Sequence, residues 1–400
     1  MSFDVDRVRA MFPALASGTA FFDGPGGSQA PQRVADAIAV ALTAGLSNRG
    51  GVTESERRAE DAVVGARAAM ADLLDVDPGG VVFGRSMTQL TFDLARSLAR
   101  QWGPEDEVVV TRLDHDANIR PWVIAAERAG ATVRWVDFDP SSCELQWDPS
   151  LLSERTRLVA VTGASNLLGT RPDVPAIAAD VHDAGALLFV DGVHLTPHAP
   201  VGVRGLGADF YACSPYKFFG PHLGVLAADP VLLESVHPDK LLPATDAVPE
   251  RFELGTLPYE LLAGVAATVD VIADLAPSGV HGGTRRERVV ESMSAVEDHE
   301  DALLGRLLSG LRDLPGVTTY GDPKRRTPTV LFSVDGTDGP QVHRHLAGLG
   351  VNAPAGSFYA LEASRHLGLG DGGAVRAGLA PYSTDEDVDR LLAGIGQIAS

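Results

Sequence analysis

The chain is poor in the residues that mark secreted, membrane or nucleic-acid-binding proteins. Two cysteines, Cys143 and Cys213, in 400 residues cannot make a disulfide framework. Neither lies in a Cys-x-x-Cys or Cys-x-x-His pair, which removes the usual zinc and dithiol spacings. No apolar run approaches the roughly 20 residues of a bilayer-crossing helix. The opening Met1-Ser2-Phe3-Asp4-Val5-Asp6 has neither a basic nor an apolar region of the secretory kind, so a cytoplasmic protein is expected. Positive charge is scarce. Lys and Arg total 33 against 53 Asp and Glu, a net charge of −20 with no basic run, which argues against nucleic acid and against anionic membrane surfaces as partners. Lysine is the scarcest cation. Lys217, Lys240 and Lys324 are the only candidates for chemistry that needs a primary amine.

What is present is ordinary globular material, 45% hydrophobic and 22% charged, long enough for two or three domains. Strand-like runs at 107–113, 132–138, 158–162, 187–191, 209–213 and 224–227 alternate with helical patterns at 88–101, 119–129 and 175–184. That alternation predicts a mostly parallel sheet covered by helices on both faces. Helices at 33–46 and 54–74 precede it. Beyond residue 260 the pattern changes to long helices at 261–275 and 285–314, strands at 329–334 and 374–379, a helix at 341–349 and a last helix opened by the capping box Thr384-Asp385-Glu386-Asp387. This predicts a smaller α+β domain, and 229–249 reads as a long surface loop.

Four segments carry the chemistry. In Ser214-Pro215-Tyr216-Lys217-Phe218-Phe219-Gly220 a lysine sits among aromatics, which strip its hydration and favour the neutral, nucleophilic amine. The apolar run Leu187-Leu188-Phe189-Val190 ends in Asp191-Gly192, at the strand end where open α/β sheets bind ligands, and an Asp there can pair with a protonated pyridine nitrogen. Gly84-Arg85-Ser86-Met87-Thr88 precedes a helix and offers backbone N–H groups to a phosphate, without the lysine of a Walker loop. Leu113-Asp114-His115-Asp116-Ala117-Asn118 puts a histidine past another strand, where it can stack on a flat ring. Each segment alone has an everyday structural explanation; their order together does not.

The ordered set resembles the pyridoxal-phosphate enzymes of the class V aminotransferase group, and within it the cysteine desulfurase-like proteins, from Phe21-Phe22-Asp23-Gly24 to the closing helix. The resemblance implies an α/β fold of the PLP-dependent transferase type I: a large domain over 20–260 with a mostly parallel sheet of the seven-stranded kind, and a small domain from 1–19 and 261–400. It implies pyridoxal 5'-phosphate as cofactor and an amino acid as substrate. Lys217 resembles the Schiff-base lysine, Asp191 the partner of the ring nitrogen and His115 the ring-stacking histidine. Met87, Thr88 and Ser214 resemble phosphate ligands, and Asn166 and His194 occupy positions near the ring hydroxyl. Thr256, in Leu254-Gly255-Thr256, resembles the threonine that reaches the neighbouring subunit's phosphate, which implies a homodimer with shared active sites. Arg376 matches the arginine that clamps a substrate carboxylate, and Tyr359 lies in the loop that meets the substrate.

Three positions depart from that pattern. Tyr216 stands where desulfurases carry histidine before the lysine, and His194 stands where glutamine is usual. The loop Asn352-Ala353-Pro354-Ala355-Gly356-Ser357-Phe358-Tyr359-Ala360 lacks the cysteine that takes up sulfur. Persulfide formation needs a thiolate at the substrate. The expectation is therefore an amino-acid enzyme acting by transamination, epimerisation or loss of a side-chain substituent, including carbon–sulfur cleavage. A true desulfurase and a non-catalytic binding protein are its rivals. Gly24-Pro25-Gly26-Gly27-Ser28 reads as a segment near the substrate entrance. His194-x-x-x-His198 has Pro197 inside its spacing, so no metal site is expected.

Overall fold

The computed structural model describes residues 3–276 and 283–399. Its centre is a seven-stranded sheet in the order Val81–Gly84, Gly224–Ala228, Phe210–Cys213, Leu187–Asp191, Thr156–Thr162, Glu107–Thr111, Thr132–Val136. The last five strands pair in parallel, while Gly224–Ala228 runs antiparallel to both its neighbours. Alternate residues of each strand serve opposite faces. Val109, Val159, Val161, Leu188, Val190 and Val225 enter one apolar cluster, and Val108, Val110, Leu158, Ala160, Phe189 and Leu226 enter another. This double burial explains why these strands read as unbroken apolar runs. Helices Met87–Leu98 and Arg120–Ala129 cover one face, and Glu54–Leu74 and Val174–Asp183 cover the other.

A second, antiparallel sheet has the order Ala355–Gly356, Ala374–Gly378, Thr329–Val334, Val317–Tyr320, and Ala20–Phe21 pairs in parallel with Val351–Asn352. The final helix Asp385–Gly396 opens on the expected box, with Thr384 and Asp387 capping each other's backbone.

The expected change of domain near residue 260 does not coincide with the change of core. Helix Tyr259–Ala273 and the first part of helix Arg285–Asp313 pack in the large-sheet cluster through Leu262, Val265, Val289, Met293 and Val296. The switch comes at Leu303 and Leu304, which join the small-sheet cluster. The N-terminal segment also belongs to the large-sheet cluster, through Val8, Phe12 and Leu15, and touches the small domain by Arg9, which pairs with Asp387 at 3.0 Å. Composition marks where strands give way to helices, but not which core a helix faces. The expected 229–249 loop contains a short helix, Pro230–Ser235, started by the side chain of Asp229.

Candidate active site

The parallel strands deliver their carboxyl ends to one edge of the sheet, with Thr162 in register with Asp191 and Asp191 with Ala212. A cavity of about 660 Å³ opens there, lined by Ser86, Met87, Thr88, His115, Asn166, Asp191, His194, Ser214, Lys217, Phe358, Tyr359 and Arg376. That volume lies within the usual range for a small-molecule site. Ten of the eleven sequence-derived candidates therefore meet in one place: Met87, Thr88, His115, Asn166, Asp191, His194, Ser214, Lys217, Tyr359 and Arg376, with Tyr216 beside them.

Asp191 ends its strand and is buried; its Oδ1 accepts the Val193 N–H at 2.9 Å. Burial pushes its carboxyl up to about 6, against the Val193 hydrogen bond and the Lys217 charge. The next residue has to be glycine, since a Cβ on Gly192 would sit 1.9 Å from the Tyr211 ring. Lys217 ends the short turn Pro215–Lys217, and its Nζ donates to the Pro25 carbonyl and lies 4.9 Å from the Tyr216 ring centre. Burial, then the charge of Arg376, brings its amine down to about 7 despite the opposing pull of Asp191. Tyr216 is itself stacked on His222, centroids 4.6 Å apart.

His115 accepts the Ala117 N–H at Nδ1 (3.0 Å), and burial with the Lys217 and Arg376 charges holds it down to about 4, a neutral ring. Beneath it lies a buried network that the sequence did not disclose. Asp114 accepts from the Thr111 hydroxyl and from Asn118 Nδ2 (2.7 Å), and Asn118 Oδ1 accepts from Trp122 Nε1 (3.1 Å). Burial raises the Asp114 carboxyl to about 8. The four-residue spacing of Asp114, Asn118 and Trp122 was a usable signal, overshadowed by the histidine between them.

From the small sheet, Arg376 projects its buried guanidinium over Phe358, 3.8 Å from the ring centre, and donates from Nη1 to the Asn166 carbonyl at 2.8 Å. Burial lowers it to about 9, with Asp23 opposing. Its Nε has no partner. Asn166 Nδ2 donates to the Phe358 carbonyl (3.0 Å) while its buried Oδ1 is unpartnered. Phe358 and Tyr359 both have left-handed backbones, φ 52° and 59°, which non-glycine residues adopt at a cost of roughly 1–2 kcal/mol each. Phe92 and Arg120, not singled out in the sequence, also line the cavity, as does Phe358 from the loop read as meeting the substrate; Pro25 and Gly26 come from the segment read as the entrance.

The helix Met87–Leu98 points its N-terminus into the cavity. Ser86 caps it by accepting the Gln89 N–H, so the first N–H groups remain for a ligand. Close seating of this end needs Gly224, where a Cβ would meet the Ser86 carbonyl carbon at 2.2 Å. Thr256 stands apart: it is exposed, on the segment before helix Tyr259–Ala273, and does not line the cavity. The cysteines are also elsewhere. Cys213 is buried in the sheet with its thiol pushed far up by desolvation, and Cys143 is packed against Gly321 with its thiol raised to about 11. Among the described residues no three His, Cys, Asp or Glu side chains form a metal-ligand group, and no helix is long and apolar enough to cross a membrane.

The residues present fit pyridoxal phosphate. A buried carboxylate suits a pyridinium nitrogen, a lysine near neutrality suits an aldehyde, a helix N-terminus suits a phosphate, and the unpartnered Asn166 amide oxygen awaits a polar ligand group. Comparison with known proteins points the same way. The chain is 37% identical to an uncharacterized protein of Mycobacterium tuberculosis, over all of both chains. It is 31% identical to a cysteine desulfurase of Pectobacterium atrosepticum, over all of this chain and 98% of that one. The crystal structure of a cysteine desulfurase of Escherichia coli superposes with a TM-score of 0.86 at 26% identity, over all of this chain and 99% of the other. The family described as Aminotransferase class-V matches residues 20–391, and the chain belongs to it.

Proposed function

We propose that the protein is a pyridoxal-phosphate-dependent enzyme acting on an amino acid, with Lys217 as its central catalytic residue. The observation that carries this is the Lys217 amine, brought down to about 7 by burial in a cavity that also holds the buried Asp191. Bound there, the cofactor supplies an electron-withdrawing ring that stabilises negative charge on the substrate carbon bearing the amino group. The chain does the rest. Asp191 would face the ring nitrogen, and His115, held neutral by burial, would pack against the ring. Met87, Thr88 and Ser214 hold the phosphate. Arg376 holds the substrate carboxylate by a bidentate fork, and Asn166 and His194 hold the ring oxygen. Lys217, neutral once released, takes the proton from the substrate α-carbon. The loop of Phe358 and Tyr359 keeps water out of this space.

For the fate of the substrate, the burial of both cysteines favours transamination, epimerisation or loss of a side-chain substituent over persulfide formation on this chain. Exposed Thr256 fits the reading of a homodimer in which it completes the partner's phosphate site.

The test is covalent trapping. Borohydride reduction of the protein with pyridoxal phosphate should add the cofactor mass to the peptide containing Lys217, and Lys217→Ala should add none. Label on Lys240 or Lys324, or none in the wild type, would refute the assignment. Screening amino acids for spectral change, with product identification, then selects among the reactions.

A further inference from the structure

Behind His194, at the cavity wall, lies a buried polar pair that the proposed chemistry does not use. His194 lines the cavity, and its Nε2 is within 3.0 Å of Thr329 Oγ1, so Nδ1 is the ring nitrogen left for a ligand. The edge of the His198 ring meets it, centroids 5.0 Å apart at 72°. His198 Nδ1 in turn lies 2.9 Å from Glu300 Oε2. Glu300 is 1% exposed, and its other oxygen, Oε1, is buried without a partner. Three elements meet here: the turn after strand Leu187–Asp191, the start of strand Thr329–Val334 and the middle of helix Arg285–Asp313.

A buried carboxyl with one oxygen unpaired is a poor way to stabilise a fold, since apolar side chains of similar size serve as well or better. Burial raises the Glu300 carboxyl to about 7, and burial, with smaller contributions from His198, Arg376 and Lys217, keeps His194 far below its ordinary value. The arrangement makes sense for orientation. An imidazole presents a donor on one nitrogen and an acceptor on the other, and the partner of one nitrogen decides which is which.

We propose that His198 and Glu300 are a buried positioning pair that holds the His194 ring in one orientation, so that Nε2 stays on Thr329, whose hydrogen bond selects one tautomer, and Nδ1 is presented to the ring oxygen of the bound cofactor. Glu300 accepts from His198 Nδ1–H, and the pinned His198 ring sets the plane of His194. This rests on the cofactor reading above, but the tautomer itself can be observed without it.

Ring nitrogen-15 spectra of the histidine-labelled full chain, with and without pyridoxal phosphate, test the proposal, His194→Asn assigning the signals. The wild type should show His194 as a single neutral tautomer at neutral pH. Glu300→Leu, which removes the acceptor, should turn it into a mixture and move the absorption band of bound cofactor. Glu300→Gln keeps an acceptor oxygen and should preserve both. A protonated or tautomer-averaged His194 in the wild type overturns the proposal even if Glu300→Leu does not fold. So does a Glu300→Leu protein with an unchanged His194 pattern. Failure of the cofactor reading is separate: no trapped adduct on Lys217, whatever the histidine pattern.

Discussion

The ring of Tyr359 lies on the ring of His115, centroids 5.5 Å apart at 30° between planes, and the Tyr359 carbonyl accepts the Asp116 N–H at 2.7 Å. Loop and strand end are thus fastened to each other across the cavity mouth, although Tyr359 is 76% exposed and its backbone is left-handed. Non-glycine residues in that conformation concentrate at functional sites. Tyr359→Gly should relieve the backbone strain and offset much of the lost stacking. Stability is expected to change by less than about 1 kcal/mol, while KM for the amino-acid substrate rises severalfold. A large loss of stability with unchanged KM would make the loop a structural element only.

Arg376→Lys tests the carboxylate clamp. Lysine keeps the charge but loses the fork and the flat face laid on Phe358. KM for the amino acid should rise about 10- to 100-fold, in line with one lost charge-assisted hydrogen bond. Cofactor affinity should stay near the wild-type value, as measured by fluorescence titration.

Asp191 and Asp114 are both buried carboxyls, held at about 6 and about 8, yet their replacement by asparagine should differ. Asp191→Asn removes the charge opposite the ring nitrogen and should lower kcat by about 100-fold or more. Asp114 is already neutral at pH 7, and asparagine can turn its oxygen to Asn118 Nδ2 and its NH2 to the Thr111 hydroxyl oxygen, so Asp114→Asn should leave kcat near wild type.

The same group makes a pH prediction. The folded-state value of Asp114 is raised, so its contribution to stability is present in acid and is lost as pH climbs from about 4 to about 8. Asp114→Asn escapes that loss. Its stability relative to wild type should climb across this window by up to about 1.4 kcal/mol per pH unit and level off above it, in denaturant titrations of the cofactor-free protein. A difference independent of pH would mean that Asp114 is ionised throughout.

Gly192→Ala places a methyl group inside the Tyr211 ring. It should destabilise the protein by about 1–3 kcal/mol and shift Asp191 enough to weaken cofactor binding. Unchanged denaturation would mean that Tyr211 moves aside freely.

The large sheet was legible because most of its strands are apolar runs followed at once by Gly, Asp or Ser, as in Leu187–Asp191, which begins and ends where the pattern placed it. Lys217 and Asp191 stood out because few residue types do the work expected of them, and both line the same cavity. Val81–Gly84 was missed because four residues show no period, and Ala355–Gly356 because two cannot. Phe92 escaped for another reason: an apolar residue at a site is indistinguishable in sequence from one in a core. Glu300 sits on a long helix with a charged pattern, and nothing local separates a buried glutamate from a solvated one. The core a helix joins is likewise a long-range property, and the packing of Leu262 and Val8 in the large-sheet cluster has no local signal in the sequence.

Both sulfhydryl groups are walled in, one inside the central sheet and the other under a loop. Alkylating reagents should therefore leave both thiols of the native protein unmodified. Any sulfur cut from a substrate would thus meet no accessible cysteine thiol on this polypeptide.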